Sequence, residues 1–229
     1  MALPSLVTPE HEIEVQSTKQ KVKIRPFLVK EEKILLTAQE SDDNNDQIVA
    51  VKQILKNCIL DEIDVENLSY FDFEFLYLNI RARSISNILE FTLTHDCDTS
   101  QEVTIDLDTL KVKEFDNHEV NIMINDDVGI KMKYPTISNL NLFEEINESS
   151  TYDILQQSIE YVYDAENIYD EFTEDEMKTF IESMDKTQIE KLSTFFETMP
   201  RLEHKIEYKC KGCKKKVEYT LRGLNDFFT

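Results

Sequence analysis

Two cysteines late in the chain, Cys210 and Cys213, have the residue type and the spacing of metal ligands. They enclose a Lys-Gly pair and lie between two segments of alternating polarity, which predicts that they occupy the turn of a β-hairpin. A Cys-x-x-Cys turn supplies two thiolates to one tetrahedral zinc ion, which is half of a zinc-ribbon site. A complete site therefore needs two more ligands from another part of the chain.

The best candidate for the second half is an earlier hairpin, predicted from alternating apolar residues on both sides of a polar turn. Cys97 stands in this turn, but Ser100 occupies the position where a second Cys-x-x-Cys pair would place its other cysteine. We therefore predict three thiolate ligands, Cys97, Cys210 and Cys213. The fourth ligand would be His95 or an aspartate. The alternative is that the metal site has been lost and only the hairpins remain.

No catalytic set is visible in the sequence. The four histidines are scattered through polar segments, and none stands beside a serine or cysteine nucleophile motif. With only three glycines, the chain has no Gly-rich loop for phosphates or dinucleotides. A thioredoxin-like role for Cys210 and Cys213 is disfavoured because strands flank them, not a helix N-terminus. We predict a protein that is not an enzyme and that has no cofactor apart from a possible structural zinc.

The charge balance limits the classes of partner. The chain has 25 Lys and Arg against 46 Asp and Glu, which gives a net charge of −21. Because phosphate contacts need clustered Lys and Arg, we predict that neither nucleic acid nor a membrane is a partner. No apolar run is long enough to span a membrane, no signal peptide is recognisable, and the few cysteines favour a reducing cytoplasm.

The turns that carry the cysteines need helices and strands to hold them. Alternation in residues 10–25 predicts a strand or hairpin, and the proline after Arg25 suits a junction into a helix that runs to Ser41. The charged start of this helix is expected to be solvated. Four apolar residues that follow are expected to be buried: Ile34, Leu35, Leu36 and Ala38.

Further helices are predicted over 48–58, with Cys58 in the core, and from a capping pattern that begins at Ser69. Another hairpin is predicted over 120–134. The fold class is α+β: helices packed with antiparallel β-hairpins, one or both of them zinc-ribbon-like, plus an acidic helical block in the C-terminal half. The predicted domains are an N-terminal α+β domain over 1–135, an acidic helical region over 136–200, and a terminal Cys-x-x-Cys hairpin over 201–229 that packs back on the first domain.

The acidic helical block is the second candidate site. It contains no Lys or Arg between Tyr134 and Met177, and capping-box patterns at Ser150, Thr173 and Asp185 predict its helices. Aromatic residues are interleaved with the acids: Tyr152, Tyr161, Tyr163, Tyr169, Phe172 and Phe180. This composition suits a protein-binding surface, although a solvated face is the simpler interpretation.

Several segments, read in order, resemble one protein family. They are RPFLVKEEKILLTAQES at 25–41, VKQILKNCI at 51–59, FDFEFLYLNIRARSISN at 71–87, the hairpin with Cys97, MKYPT at 132–136 and the terminal CKGC and LRGLNDFF. The series resembles the baseplate hub assembly proteins of T-even-type tailed bacteriophages, a family that includes the hub subunit and the hub assembly catalyst. In that family both hairpins often carry Cys-x-x-Cys, and the aligned positions here are Cys97, Ser100, Cys210 and Cys213.

The resemblance implies a non-enzymatic late viral protein that acts as a chaperone in the host bacterial cytoplasm. It would assist assembly of the central hub of the tail baseplate by binding other baseplate hub proteins. One alternative is a structural hub subunit that is retained in the virion. Another is a zinc-ribbon protein that binds nucleic acid, which the terminal lysines support and the overall charge opposes.

Overall fold

The computed structural model describes residues 6–40, 44–139 and 148–227. Within these ranges the chain forms six α-helices and small antiparallel sheets, so the predicted α+β class is confirmed. The helices are α1 (Val29–Gln39), α2 (Asn44–Cys58), α3 (Tyr70–Ser84), α4 (Glu148–Gln157), α5 (Glu174–Glu182) and α6 (Lys186–Thr198). The strands are β1 (His11–Glu14), β2 (Lys21–Ile24), β3 (Ile88–Thr94), β4 (Ser100–Asp106), β5 (Val112–Lys113), β6 (Asn121–Met123), β7 (Gly129–Met132), β8 (Ile159–Tyr163), β9 (Ile168–Tyr169), β10 (Arg201–Lys209) and β11 (Lys216–Arg222).

The strands form two hairpins and two larger sheets. The hairpins are β1–β2 and β3–β4, and the larger sheets have the strand orders β11-β10-β5 and β6-β7-β8-β9. The chain groups into two compact units: unit 1 contains 1–65, 71–113 and 201–229, and unit 2 contains 66–70 and 114–200. The division into the regions 1–135, 136–200 and 201–229 stays a prediction.

The segment after Arg25 forms the predicted helix, but its charged start is not fully solvated. Glu31 in the first turn of α1 is completely buried. Its carboxylate accepts hydrogen bonds from the Arg25 guanidinium at 3.0 and 3.3 Å and from the Leu28 backbone N–H at 2.8 Å. The prediction of a solvated start is therefore wrong at Glu31, because the end of β2 places Arg25 where it neutralises this carboxylate.

Arg25 also connects β2 to the end of α2. Its guanidinium donates to the backbone carbonyls of Pro26 at 2.9 Å and Asn57 at 2.8 Å, and its backbone N–H donates to the carbonyl of Cys58 at 2.9 Å. Cys58 is fully buried, as predicted for a core residue. Burial raises the pKa of its thiol to about 11, so this cysteine is an inert part of the core.

The apolar part of α1 is buried on one side only. Leu35 and Ala38 are buried as predicted, whereas the prediction is wrong for Leu36, which is 54% exposed. The apolar residues of unit 1 that are 0% exposed lie on β2, α2 and α3: Val22, Ile24, Val51, Ile54, Leu55, Cys58, Phe73, Leu76 and Ile80.

Helix α3 begins at Tyr70, so Ser69 occupies the predicted N-cap position. Asp72 in its first turn is fully buried. The Asp72 carboxylate accepts hydrogen bonds from the backbone N–H groups of Gln16 at 2.7 Å and Ser17 at 3.1 Å. These two bonds attach the connection between β1 and β2 to α3.

Unit 2 has its own apolar core, which collects side chains from the four-stranded sheet and from α4, α5 and α6. Its buried members are Ile124, Ile130, Met132, Leu155, Ile159, Val162, Met177, Ile181, Leu192 and Phe195. At the start of β7, Gly129 pairs with Tyr163 of β8. A Cβ atom on Gly129 would lie 2.2 Å from the Tyr163 ring, so the tyrosine can cross the strand only because this residue is glycine.

The predicted helical region contains two strands that the sequence interpretation missed. β8 and β9 lie within 159–169, and the helix prediction is wrong there. The β8 sequence, Ile-Glu-Tyr-Val-Tyr, is rich in β-branched and aromatic residues, which suit a strand. Asp164 serves the turn after it, since its carboxylate accepts hydrogen bonds from the backbone N–H groups of Glu166 at 2.8 Å and Asn167 at 2.7 Å.

The helix starts of unit 2 follow the capping patterns in two cases. Thr173 forms a capping box with Glu176 at the start of α5, and Asp185 forms one with Gln188 at the start of α6. The predicted cap at Ser150 and residues 140–147 of the acidic block lie outside the described residues and side chains. None of the helices in the described ranges combines the length and the apolarity that a bilayer-spanning segment needs.

Candidate metal centre

The two cysteine-bearing turns close the hairpins β3–β4 and β10–β11, as predicted. In the first, the His95 backbone N–H donates to the Thr99 carbonyl at 3.1 Å. In the second, the Cys210 N–H donates to the Lys215 carbonyl at 2.9 Å, so the first turn is one residue shorter. Each turn contains a residue with positive φ, 57° at Asp98 and 61° at Lys214.

These matching hydrogen bonds set the correspondence between the turns. His95 takes the place of Cys210, because the backbone N–H of each residue donates the hydrogen bond that closes its turn. Cys97 takes the place of Cys213, because each of these two cysteines is followed directly by the positive-φ residue of its turn. Ser100 lies outside the turn, in β4, where it pairs with Thr94. Ser100 is therefore not one of the clustered side chains, and the shorter turn brings His95 and Cys97 to the positions that correspond to Cys210 and Cys213.

The structure brings the three predicted cysteines together with His95. The Cys97 Sγ lies 3.6 Å from the Cys210 Sγ and 3.2 Å from the His95 Nδ1, and the Cys213 Sγ lies 3.6 Å from the same nitrogen. All four ligand atoms lie within 4.8 Å of one another. Tetrahedral zinc would separate its ligand atoms by about 3.8 Å for two sulfurs and about 3.6 Å for sulfur and nitrogen. The cluster can therefore hold a metal ion, with His95 as the fourth ligand.

A close contact between the two turns maintains this geometry. A Cβ atom on Gly212 would lie 2.1 Å from the Thr99 Oγ1, so the turns can approach this closely only with glycine at position 212. Next to it, the Lys211 backbone N–H donates to the Gln101 side-chain oxygen at 2.9 Å. The two hairpins thus touch at the turns through contacts that do not themselves involve the four ligand atoms.

The four side chains differ in exposure. Cys210 is 1% exposed, Cys97 is exposed, and His95 and Cys213 are half-buried. The site is therefore open to solvent on the Cys97 side and closed behind Cys210.

The local hydrogen bonds favour thiolate at Cys97. The Thr99 hydroxyl lies 3.4 Å from the Cys97 Sγ, and hydrogen bonding with Thr99 and then His95 lowers the pKa of this thiol to about 6. At Cys213 the backbone N–H of Lys215 lowers the pKa, but burial and the neighbouring thiols outweigh it and raise the pKa overall. Three thiolates and one histidine on a divalent ion would carry a net charge of −1, which the lysines of the second turn offset: Lys209, Lys211, Lys214, Lys215 and Lys216.

His118 is the single histidine of unit 2, and its role is structural. The Thr198 hydroxyl donates to the Thr194 carbonyl at 2.7 Å, so it accepts from the His118 Nδ1–H at 3.1 Å. The Tyr134 hydroxyl then donates to Nε2 at 3.0 Å. Burial lowers the pKa of His118, which keeps the ring neutral among aromatic neighbours.

In the described part of the chain, no second group of His, Cys, Asp or Glu side chains converges in the way that the turn cluster does. The signal for His95 was present in the sequence as His-x-Cys followed by Asp98. Asp is one of the residues that tolerates positive φ, so it could have marked the position after the second ligand. Periodicity and Cys-x-x-Cys spacing alone do not reveal that the β3–β4 turn is one residue shorter than the β10–β11 turn.

Nearly the whole chain matches one known protein family. Residues 8–229 match the family model described as T4 bacteriophage base plate protein. No curated protein and no solved structure matches the chain. The family match agrees with the series of segments from 25–41 to the terminal hairpin that resembles phage baseplate proteins. Because the match covers almost every residue, the chain belongs to the T4 bacteriophage base plate protein family.

Proposed function

We propose that this baseplate protein assists assembly of the central hub of the phage tail baseplate by binding other hub proteins. The binding surface is the acidic, aromatic part of unit 2, and the action is non-enzymatic and takes place in the host bacterial cytoplasm. The observation that carries the proposal is a groove of about 550 Å³, here called the acidic groove. It is lined by four carboxylates, one lysine and one phenylalanine among other residues: Asp153, Glu160, Asp170, Glu174, Lys133 and Phe172.

A second groove of about 490 Å³, lined by both apolar and charged side chains, shares Asp153 and Gln156 with the first. Its lining includes Tyr152, Ile181, Met184 and Ile189. Tyr152 is 52% exposed, so its ring is available for contact with a partner. A hub protein segment that carries Lys or Arg next to apolar side chains would fit both grooves, because its charges oppose the carboxylates and its apolar part covers Tyr152.

The test uses charge-neutral substitutions on the acidic groove. Asp153→Asn, Asp170→Asn and Glu174→Gln together remove three charges, and all three side chains are exposed, so folding should be preserved. Asp164 is excluded from the set because it holds the turn between β8 and β9. The variant should lose capture of hub proteins from infected cells, and the salt dependence of the remaining binding should weaken.

The matched control removes three exposed charges from unit 1 with Glu62→Gln, Glu90→Gln and Glu102→Gln. Since the net charge changes equally, only the position of the lost charges differs. If both triple variants capture the same hub proteins with unchanged salt dependence, the acidic groove is not the binding surface.

The second candidate function is a structural hub subunit retained in the virion, which is equally compatible with the description of the matched family. A chaperone leaves before the particle is complete, whereas a subunit remains. Mass spectrometry of purified virions, compared with lysates of infected cells, separates the two: peptides of this chain at a constant ratio to tail proteins in virions identify a subunit.

The proposal also includes a structural zinc ion held by His95, Cys97, Cys210 and Cys213. Four protein ligands leave no open coordination position, which is typical of a structural site and not of a catalytic one. Metal analysis of the purified protein should find about one zinc per chain. Cys210→Ser should lose it and Cys58→Ala should keep it, because Cys58 lies in the core beside Arg25, with its Sγ 3.6 Å from the guanidinium.

A further inference from the structure

We propose that the turn cluster is also a site of oxidative modification, at which Cys97 and Cys210 form a disulfide between the two hairpins when no metal is bound. Their sulfur atoms are already 3.6 Å apart. A disulfide bond brings the sulfurs to about 2.05 Å, so the two Sγ atoms have to move about 1.5 Å closer to each other. The inference goes beyond baseplate assembly and depends on the thiol geometry, not on the identity of the metal.

The difference in exposure sets the order of events. Cys97 is exposed and meets a dissolved oxidant first, whereas Cys210 is 1% exposed and lies directly behind it. In a pair of this kind, the accessible thiol is oxidised to a sulfenic acid, and the sheltered thiol then reacts with it to form a disulfide.

With hydrogen peroxide as the oxidant, the electrons and atoms balance in two steps. The Cys97 thiolate attacks one peroxide oxygen, the O–O bond breaks, and Cys97 becomes a sulfenic acid while hydroxide leaves and is protonated to water. The Cys210 thiolate then attacks the Cys97 sulfur, the S–S bond forms, the S–O bond breaks, and hydroxide leaves and takes up a proton to give the second water. Two thiols are oxidised to one disulfide, and one peroxide is reduced to two waters.

The hairpins stay in contact without a metal because other groups hold the turns together. Gly212 packs against Thr99, and the Lys211 N–H is hydrogen-bonded to Gln101 at 2.9 Å. These contacts keep Cys97 and Cys210 within reach of each other, although 113 positions separate them in the sequence.

The experiment treats the full chain, stripped of metal by a chelator under reducing conditions and then desalted, with one equivalent of hydrogen peroxide. Free thiols are alkylated, and the protein is digested with trypsin without reduction. Lys211 lies between Cys210 and Cys213, so trypsin releases them on separate peptides, and Cys97 is on the peptide 84–111. Mass spectrometry therefore distinguishes all three possible pairings.

The expected main product joins the 84–111 peptide to the Cys210 peptide, with Cys58 alkylated and unlinked. Cys213→Ser should keep this product, and Cys210→Ser should lose it, with circular dichroism of both variants matching the parent protein. A main product that joins Cys210 to Cys213, or a Cys97 that remains a free thiol, would overturn the proposal.

A parallel arm separates this inference from the proposed zinc. The same treatment is applied to protein loaded with zinc, and released zinc is measured with a colorimetric chelator. If the protein binds no zinc but still forms the Cys97–Cys210 disulfide, the zinc proposal fails and the modification site stands. If the protein binds one zinc but forms no such disulfide after the metal is removed, the zinc proposal stands and the modification site fails.

Discussion

Replacing Glu31 with glutamine is expected to lower the free energy of unfolding by about 3–5 kcal/mol. Glu31 is 0% exposed and Arg25 is 8% exposed, so neither charge is solvated. Glutamine has nearly the same shape but no charge, and it leaves the Arg25 guanidinium buried and unpaired. The cost is therefore that of an uncompensated buried ion and not that of one lost hydrogen bond.

Lys30 provides a control within the same turn. Its Nζ lies 3.4 Å from the same carboxylate, but its side chain is 63% exposed. Water screens a pair of this kind, so Lys30→Ala should cost less than about 1 kcal/mol. With a urea dependence of about 2 kcal/mol per M, Glu31→Gln should lower the midpoint of unfolding by about 2 M, and Lys30→Ala should lower it by less than about 0.5 M.

Urea unfolding is followed by circular dichroism and by tyrosine fluorescence, since the chain has nine tyrosines and no tryptophan. A double variant, Arg25→Met with Glu31→Leu, should be less destabilised than Glu31→Gln alone, because it leaves no unpaired charge in the interior. The reasoning is refuted if Glu31→Gln costs no more than Lys30→Ala, or if the double variant is as unstable as the single one.

The same pair makes a prediction about acid. Burial alone would raise the pKa of the Glu31 carboxyl, but the hydrogen bonds from Arg25 and Leu28 outweigh it and lower the pKa. A lowered pKa in the folded state means that the stabilisation is present above the unfolded value of about 4.3 and is lost as the pH falls through the folded value. Below about pH 4.3 the parent protein should therefore lose stability more steeply than Glu31→Gln.

Three further predictions concern single positions. Gly129→Ala should destabilise unit 2 by about 1–3 kcal/mol, because its Cβ meets the Tyr163 ring, and adding Tyr163→Ala should recover part of the loss in urea unfolding. Burial lowers the pKa of His118, so as the pH falls this histidine is protonated in the unfolded chain before it is protonated in the folded protein. Stability should therefore decrease below about pH 6.5, and His118→Gln should flatten this pH dependence in thermal unfolding. Gly212→Ala should weaken zinc retention on the order of tenfold in competition with a chelator, because its Cβ pushes against Thr99.

Each of these has an outcome that contradicts it. Strict additivity of Gly129→Ala and Tyr163→Ala would show that the two side chains do not collide. Parallel pH profiles for the parent and His118→Gln would assign the acid sensitivity to other groups. For Gly212→Ala, zinc retention equal to that of the parent would mean that the turns separate without disturbing the ligands.

The hairpins and most helix starts could be predicted from the sequence because their signals are local. Alternation, turn residues and capping boxes act within a few residues, as at Thr173 with Glu176. The burial of Glu31 could not be predicted in this way, because it depends on Arg25 in a different element. β8 was missed for a related reason: its strand propensity competes with a high density of acids, and only its pairing with β7 decides the outcome.

The candidate site also has a part that local sequence signals predict and a part that depends on distant contacts. The choice of Cys97, Cys210 and Cys213 followed from residue type and hairpin position, which are local properties. The choice between His95 and an aspartate as fourth ligand depended on the length of one turn and on how two hairpins distant in sequence meet. In the structure, His95 joins the three cysteines in one cluster. Which residues of the two turns correspond to each other depends on the backbone hydrogen bonds that close the turns, and residue type alone does not predict these bonds.

The order of segments in unit 1 has a consequence for protein synthesis. Cys97 and Cys210 are 113 positions apart, and most of unit 2 lies between them in the chain. At a translation rate of about 5–20 residues per second, the first turn waits on the order of ten seconds for the second to leave the ribosome. During that interval unit 2 can fold, while His95 and Cys97 form only half of the candidate metal site. Capture of the proposed zinc would therefore come only after the second turn has left the ribosome, once unit 2 has been synthesised.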